Sequence, residues 1–125
     1  MSNENAHIRL SVAADPHLAR LVRMTAANVA TLCAMSVDRV EDVRMAAEEA
    51  FIFACAARPG GEVAFDFDVD PARVALSVEL DGPLPDAEPG DESALYADLI
   101  LGAVCDAYEK RPEPAALLLT LKADL

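Results

Sequence analysis

The chain has 125 residues, 54% hydrophobic and 26% charged, with no tryptophan and a formal net charge of −12 from 22 acidic and 10 basic side chains. That length and balance describe one domain with a packed core and argue against intrinsic disorder. An acidic surface of this kind repels phosphate backbones and anionic lipid, so direct nucleic-acid or membrane binding is not expected; a basic protein partner is permitted, and simple solubility is the commoner meaning.

Cys33, Cys55 and Cys105 sit far apart in apolar helical segments, without metal-ligand spacing and in odd number. They read as buried thiols in a reducing compartment. Met1 to His7 is polar, unlike a signal peptide, and the longest apolar run, Leu99 to Cys105, is too short to span a bilayer. A cytoplasmic protein is expected.

In chain order, Ile8, Leu10 and Val12 alternate with Arg9 and Ser11, a half-buried first strand. Asp15-Pro16 is an N-cap followed by proline at the first helical position, and Leu18, Leu21, Val22, Thr25, Val29, Leu32 and Cys33 share a face of a helix from Pro16 to Ala34. A second helix starts near Asp38, with Asp38 and Glu41 at capping-box spacing. Val40, Val43, Ala47, Ala50, Phe51 and Ala54 point inward, and Arg58-Pro59-Gly60-Gly61 ends it. Val63 to Val69 and Val74 to Leu80 alternate about the turn Asp70-Pro71-Ala72-Arg73, an antiparallel hairpin. Asp81 to Ser93 is a loop. Ala94 to Tyr108 is a third helix with Leu95, Leu99, Ala103 and Val104 inward, and Pro112 and Pro114 precede a last strand, Ala115 to Lys122. The order β-α-α-β-β-α-β predicts an α/β (α+β) two-layer sandwich: a mixed, mostly antiparallel sheet with helices on one face.

That order and several local patterns resemble the anti-sigma-factor serine kinases of the Bergerat-type, histidine-kinase-like ATPase superfamily. The likeness covers nearly the whole chain and is densest in Ile8 to Ala14, in Arg20-Leu21-Val22-Arg23 and in Val40 to Ala50, where V-E-D-V-R-M-A-A-E-E-A agrees in register with the family's second helix. The resemblance implies a homodimer and a protein partner, a sigma factor or an anti-anti-sigma factor.

The positions that serve ATP in the family are replaced here. The resemblance assigns the general base, which activates a partner's serine, to Glu49, but puts Phe53 where an asparagine gives oxygen to Mg²⁺. A phenyl ring offers no ligand to a cation that demands oxygens. With Gly82 and Asp86 aligned to the family's D-x-G-x-x-x-D box, Leu80 falls on the adenine-reading aspartate, with Asp81 one residue off register and Pro83 removing a donor. The glycine-rich phosphate turn corresponds to Ala94-Leu95-Tyr96-Ala97-Asp98, without glycine and with a negative charge. Ala87 to Ser93 are too few for the family's ATP lid. The expectation is a degenerate member, a regulatory protein-binding module without ATP, metal or other cofactor. The alternative is an active ATP-dependent serine kinase acting on an anti-sigma-factor antagonist through Asp81 and Glu49; a third reading has Ala94, Leu95 and Phe53 line a pocket for another small ligand.

Other signals weigh less. Asp66 to Asp70 resembles a calcium loop, but Pro71 and Ser77 occupy its glycine and glutamate places, so the aspartates belong to the solvent side of a strand. His7 and His17 are surface residues, and Met24, Met35 and Met45 are helix packing. Arg20 and Arg23, one turn apart on the first helix, are candidate partner-binding residues, weighed evenly against solvated cations paired with Asp or Glu.

Overall fold

The structure, a computed structural model, describes residues 5–84 and 92–125. Strand β1 (Ala6–Ala13) leads through a 3₁₀ turn (Pro16–Leu18) into helix α1 (Ala19–Ala30). Then follow α2 (Val37–Ala57), β2 (Glu62–Asp70), β3 (Arg73–Leu80), α3 (Ser93–Val104), β4 (Ala107–Pro112) and β5 (Ala115–Lys122). The strands form one sheet in the order β1-β2-β3-β5-β4, and the helices cover one face, giving the two-layer sandwich. Asp86 and most of the segment assigned to a shortened lid lie outside the described residues.

Every pairing is antiparallel, so the expected mixed sheet is corrected. The cause is β4, a strand absent from the expected order. A single helical crossover from β3 to its neighbour would have made a parallel pair. An added strand reverses the chain once more, and β5 meets β3 head to tail.

Alternation sets the core. Val63, Phe65, Phe67 and Val69 of β2, with Val74, Leu76, Val78 and Leu80 of β3, turn toward the helices and are buried. Phe65 stacks on Phe67 with centroids 6.2 Å apart, and Phe51 of α2 tilts onto Phe65 at 6.0 Å. Ala46, Ala47, Ala50 and Ala54 are fully buried, and their small side chains let α2 lie close to its neighbours. The hairpin turn forms as expected, with the Asp70 carboxylate accepting from the Ala72 and Arg73 N–H groups.

Asp15 caps its turn as expected, accepting from the His17 N–H with Pro16 next in line. Elsewhere helix boundaries move. α1 stops at Ala30 rather than Ala34, because Thr31, Leu32 and Cys33 donate to carbonyls three residues back in a tightened last turn. Its buried face is Val22, Ala26, Val29 and Ala30; Leu21 and Leu32, expected inward, are about half exposed. The cap of α2 is Ser36, not Asp38: its hydroxyl accepts from the Arg39 N–H, and Asp38 falls in the first turn.

The largest change is at α3. The helix ends at Val104, not Tyr108, because Cys105 is extended and the Asp106 N–H donates to the Thr120 carbonyl of β5. Residues Ala107–Pro112 then pair with β5, so Pro112 closes a strand instead of preceding one. The inward positions of α3 are Ala97 and Leu101, whereas Leu95, Leu99 and Ala103 are exposed. Met24 and Met45 are likewise exposed rather than packed, and only Met35 packs against the core.

Asp124 fastens the chain past β5 to the start of α2: its carboxylate accepts from the Ser36 hydroxyl and, at 2.7 Å, from the Ser36 N–H. These bonds hold its pKa below the ordinary 3.8, the hydroxyl contributing most. A depressed folded-state pKa means that the clasp stabilises fully above 3.8 and is lost as pH falls through the lower folded value. Thermal midpoints of the wild type and Asp124→Asn should therefore differ at neutral pH and converge in that acidic window; a gap independent of pH would contradict the assignment. Among the described residues, no helix is long and apolar enough to cross a membrane.

Candidate functional site

A recess of about 210 Å³ opens between α2 and α3, lined by Glu49, Ile52, Phe53, Ala56, Tyr96 and Ala97. The spacing i, i+3, i+4 and i+7 along α2 puts Glu49, Ile52, Phe53 and Ala56 on one side. Three sequence-predicted positions, Glu49, Phe53 and Ala97, are brought together here.

Phe53 is only 8% exposed. The Lys110 ammonium lies over its ring, 5.1 Å from the centroid, and 3.0 Å from the Asp98 carboxylate. The Tyr108 hydroxyl donates to the same carboxylate at 2.7 Å. Burial, reinforced by that hydrogen bond, raises the Tyr108 pKa and keeps the phenol protonated. Asp98, read from the sequence as a negative charge in the stretch matching the phosphate turn, is thus engaged by two β4 side chains. Sequence reasoning missed both partners because it ended the third helix at Tyr108 and gave no strand to the residues after it; the alternation of Tyr108 and Lys110 with Glu109 and Arg111 was the available signal.

This cluster does not suit a magnesium ion. An aromatic ring with an ammonium over it offers no oxygen ligand and repels a second cation.

Glu48 and Glu49 diverge, as adjacent helical residues must. Glu48 pairs with Arg23 across α1 and α2 at 2.9 Å, so the half-buried Arg23 is engaged within the chain. Glu49 is half-buried and makes no hydrogen bond or ion pair among the described residues. Desolvation, then the neighbouring Glu48, raises its pKa. Arg20 is exposed and has no side-chain partner among the described residues.

The remaining predicted positions do not join the recess. Leu80 packs in the core opposite Val63. Asp81 is exposed and lines a shallow depression with Arg9, Glu62 and Glu79. Gly82 has φ +122°, a backbone conformation that favours glycine, and the Arg58 guanidinium packs against it. Ala94 packs half-buried against the core.

Burial disfavours ionisation of the thiols. Cys33 and Cys55 are buried with raised pKa values, and burial pushes Cys105 up to about 12. His7 and His17 are exposed and bonded to Asp66 and Asp15. The chain matches no protein-family model and no curated protein.

Proposed function

We propose that the chain is a regulatory protein-binding module, a degenerate relative of the anti-sigma-factor serine kinases that recognises its partner without nucleotide. The observation that carries this reading is Phe53 under the Lys110 ammonium: at the place that the resemblance assigns to a metal ligand stands a buried ring with an internal cation already above it. Phosphoryl transfer depends on a positioned metal and phosphate contacts, and neither Ala97 nor Asp98 supplies one. The partner class that the resemblance implies is a sigma factor or an anti-anti-sigma factor, met in the cytoplasm by a homodimer. Protonated, largely buried thiols fit a reducing compartment.

One observation favours a second reading. The Glu49 carboxylate, without a partner among the described residues and with a raised pKa, has the character of a general base, so an ATP-dependent serine kinase is the rival. Asp81, its adenine-reading candidate, lines a different depression. Isothermal titration with ATP and Mg²⁺ separates the two: no specific heat is expected up to millimolar nucleotide. Transfer of labelled phosphate to an antagonist protein, abolished in Glu49→Ala, would replace the binding-module reading with the kinase.

A further inference from the structure

We propose that the recess between α2 and α3 docks a basic amphipathic segment of a protein partner, one apolar side chain entering between Phe53 and Tyr96 while an adjacent arginine or lysine pairs with Glu49. This rests on the protein-binding reading above and gives the chemistry of the partner.

The first support is an apolar rim. Ile52, Leu95, Tyr96 and Leu99 are 45%, 58%, 61% and 64% exposed, although Ala97 and Leu101 already fill the inward positions of α3. Four large apolar side chains on two adjacent helices are more than the scattered exposure of an ordinary surface, and a concave recess beside them suits an anchor side chain. An amphipathic helix presents such anchors at i, i+3 and i+4.

The second support is Glu49. It is the one charged residue lining the recess, half-buried and without a cation among the described residues. A carboxylate that has lost part of its hydration gains most from a guanidinium or ammonium delivered by the segment that buries it.

The third support is charge, which decides between a basic partner and a second copy. The chain carries −12 overall, and four cations of the helical layer and β4 are already committed: Arg23 to Glu48, Arg39 to Asp42 and Asp106, Arg44 to Glu41 and Lys110 to Asp98. Two copies meeting through this face would oppose like net charges. A basic segment reverses that sign.

The test uses fluorescence anisotropy at physiological ionic strength. The probe is a fluorescein-labelled amphipathic peptide of leucine, lysine and arginine, compared with an acidic counterpart carrying glutamate at every basic position. Glu49→Lys and Tyr96→Ala should each weaken the basic peptide by about tenfold. Asp68→Lys, the same charge change on the outer face of the sheet, should weaken it by less than about twofold. Glu49→Gln, which removes charge with little change of shape, should fall between wild type and Glu49→Lys, and circular dichroism checks that each variant is folded.

Equal losses for Glu49→Lys and Asp68→Lys would reduce the effect to diffuse attraction and overturn the proposal. So would tight binding of the acidic peptide, or a dimer in sedimentation equilibrium that Leu99→Glu dissociates, which would put a second copy on this face. Failure of the two readings is distinguishable: ATP-Mg²⁺ binding with the peptide results intact sinks only the nucleotide-free reading, whereas silence toward both ligands sinks only the docking proposal.

Discussion

Arg39→Ala should lower the free energy of unfolding by about 3 kcal/mol, the low end for breaking a desolvated ion pair, because Asp42 and Asp106 are each more than a third exposed. The arginine itself is 15% exposed and its guanidinium ties together separate parts of the fold. Nε donates to the Lys122 carbonyl at 2.9 Å, and Nη1 donates to the Val104 carbonyl at 3.2 Å and to Asp42 at 3.1 Å. Nη2 donates to Asp106, which also accepts from the Lys122 N–H at 2.7 Å. Removing the side chain leaves the last carbonyl of α3 and a strand carbonyl without this donor and strands the Asp106 charge. Arg39→Lys should recover no more than about half the loss, since an ammonium cannot span this fork of acceptors. Urea denaturation reads the effect as a lower midpoint at unchanged slope. In a double-mutant cycle, Asp106→Ala should be less costly in the Arg39→Ala background; strict additivity would show that the two residues act independently.

Phe65→Ala should cost about 4 kcal/mol, within the range for deleting a buried aromatic ring. Phe65 has no solvent exposure, lies on β2 between Leu10 of β1 and Val78 of β3, and contacts Phe51 and Phe67 through its ring. The surrounding strands are hydrogen-bonded on both sides and cannot collapse into the void, so the transfer and cavity contributions both count. Leu99→Ala supplies the contrast. At 64% exposure it should change stability by no more than about 0.5 kcal/mol. A large loss there would mean that the outer face of α3 is covered within the folded chain, and the docking proposal would lose its surface.

The layered architecture was legible because period-two burial in Val63 to Leu80 and the proline and glycine punctuation are local signals. They depend on no distant contact, and the hairpin, the turn at Asp15 and the second helix formed where those signals lie. The fourth strand was not legible, because Ala107 to Pro112 is captured by pairing with β5, a tertiary effect, whereas the apolar run before it reads equally well as continuing helix. The error propagated. With Tyr108 assigned to α3, Leu95 and Leu99 were taken as the inward stripe, and the true stripe, Ala97 and Leu101, was missed because alanine gives a weak hydrophobic signal. At the candidate site, the spacing of Glu49 and Phe53 gave their common wall, but Lys110 and Tyr108 come from far along the chain and only the fold brings them near Phe53 and Asp98. Arg23 illustrates the same limit: its charge was visible, its bond to Glu48 was not.

The bond from Tyr108 to Asp98 also gives the protein an optical handle. The chain has two tyrosines and no tryptophan. A phenol that donates to a carboxylate at 2.7 Å is a poor emitter, because proton movement toward the acceptor drains its excited state. Intrinsic ultraviolet emission should therefore come chiefly from Tyr96, which lines the recess, so that a change in emission on adding peptide would report occupancy there without any attached dye.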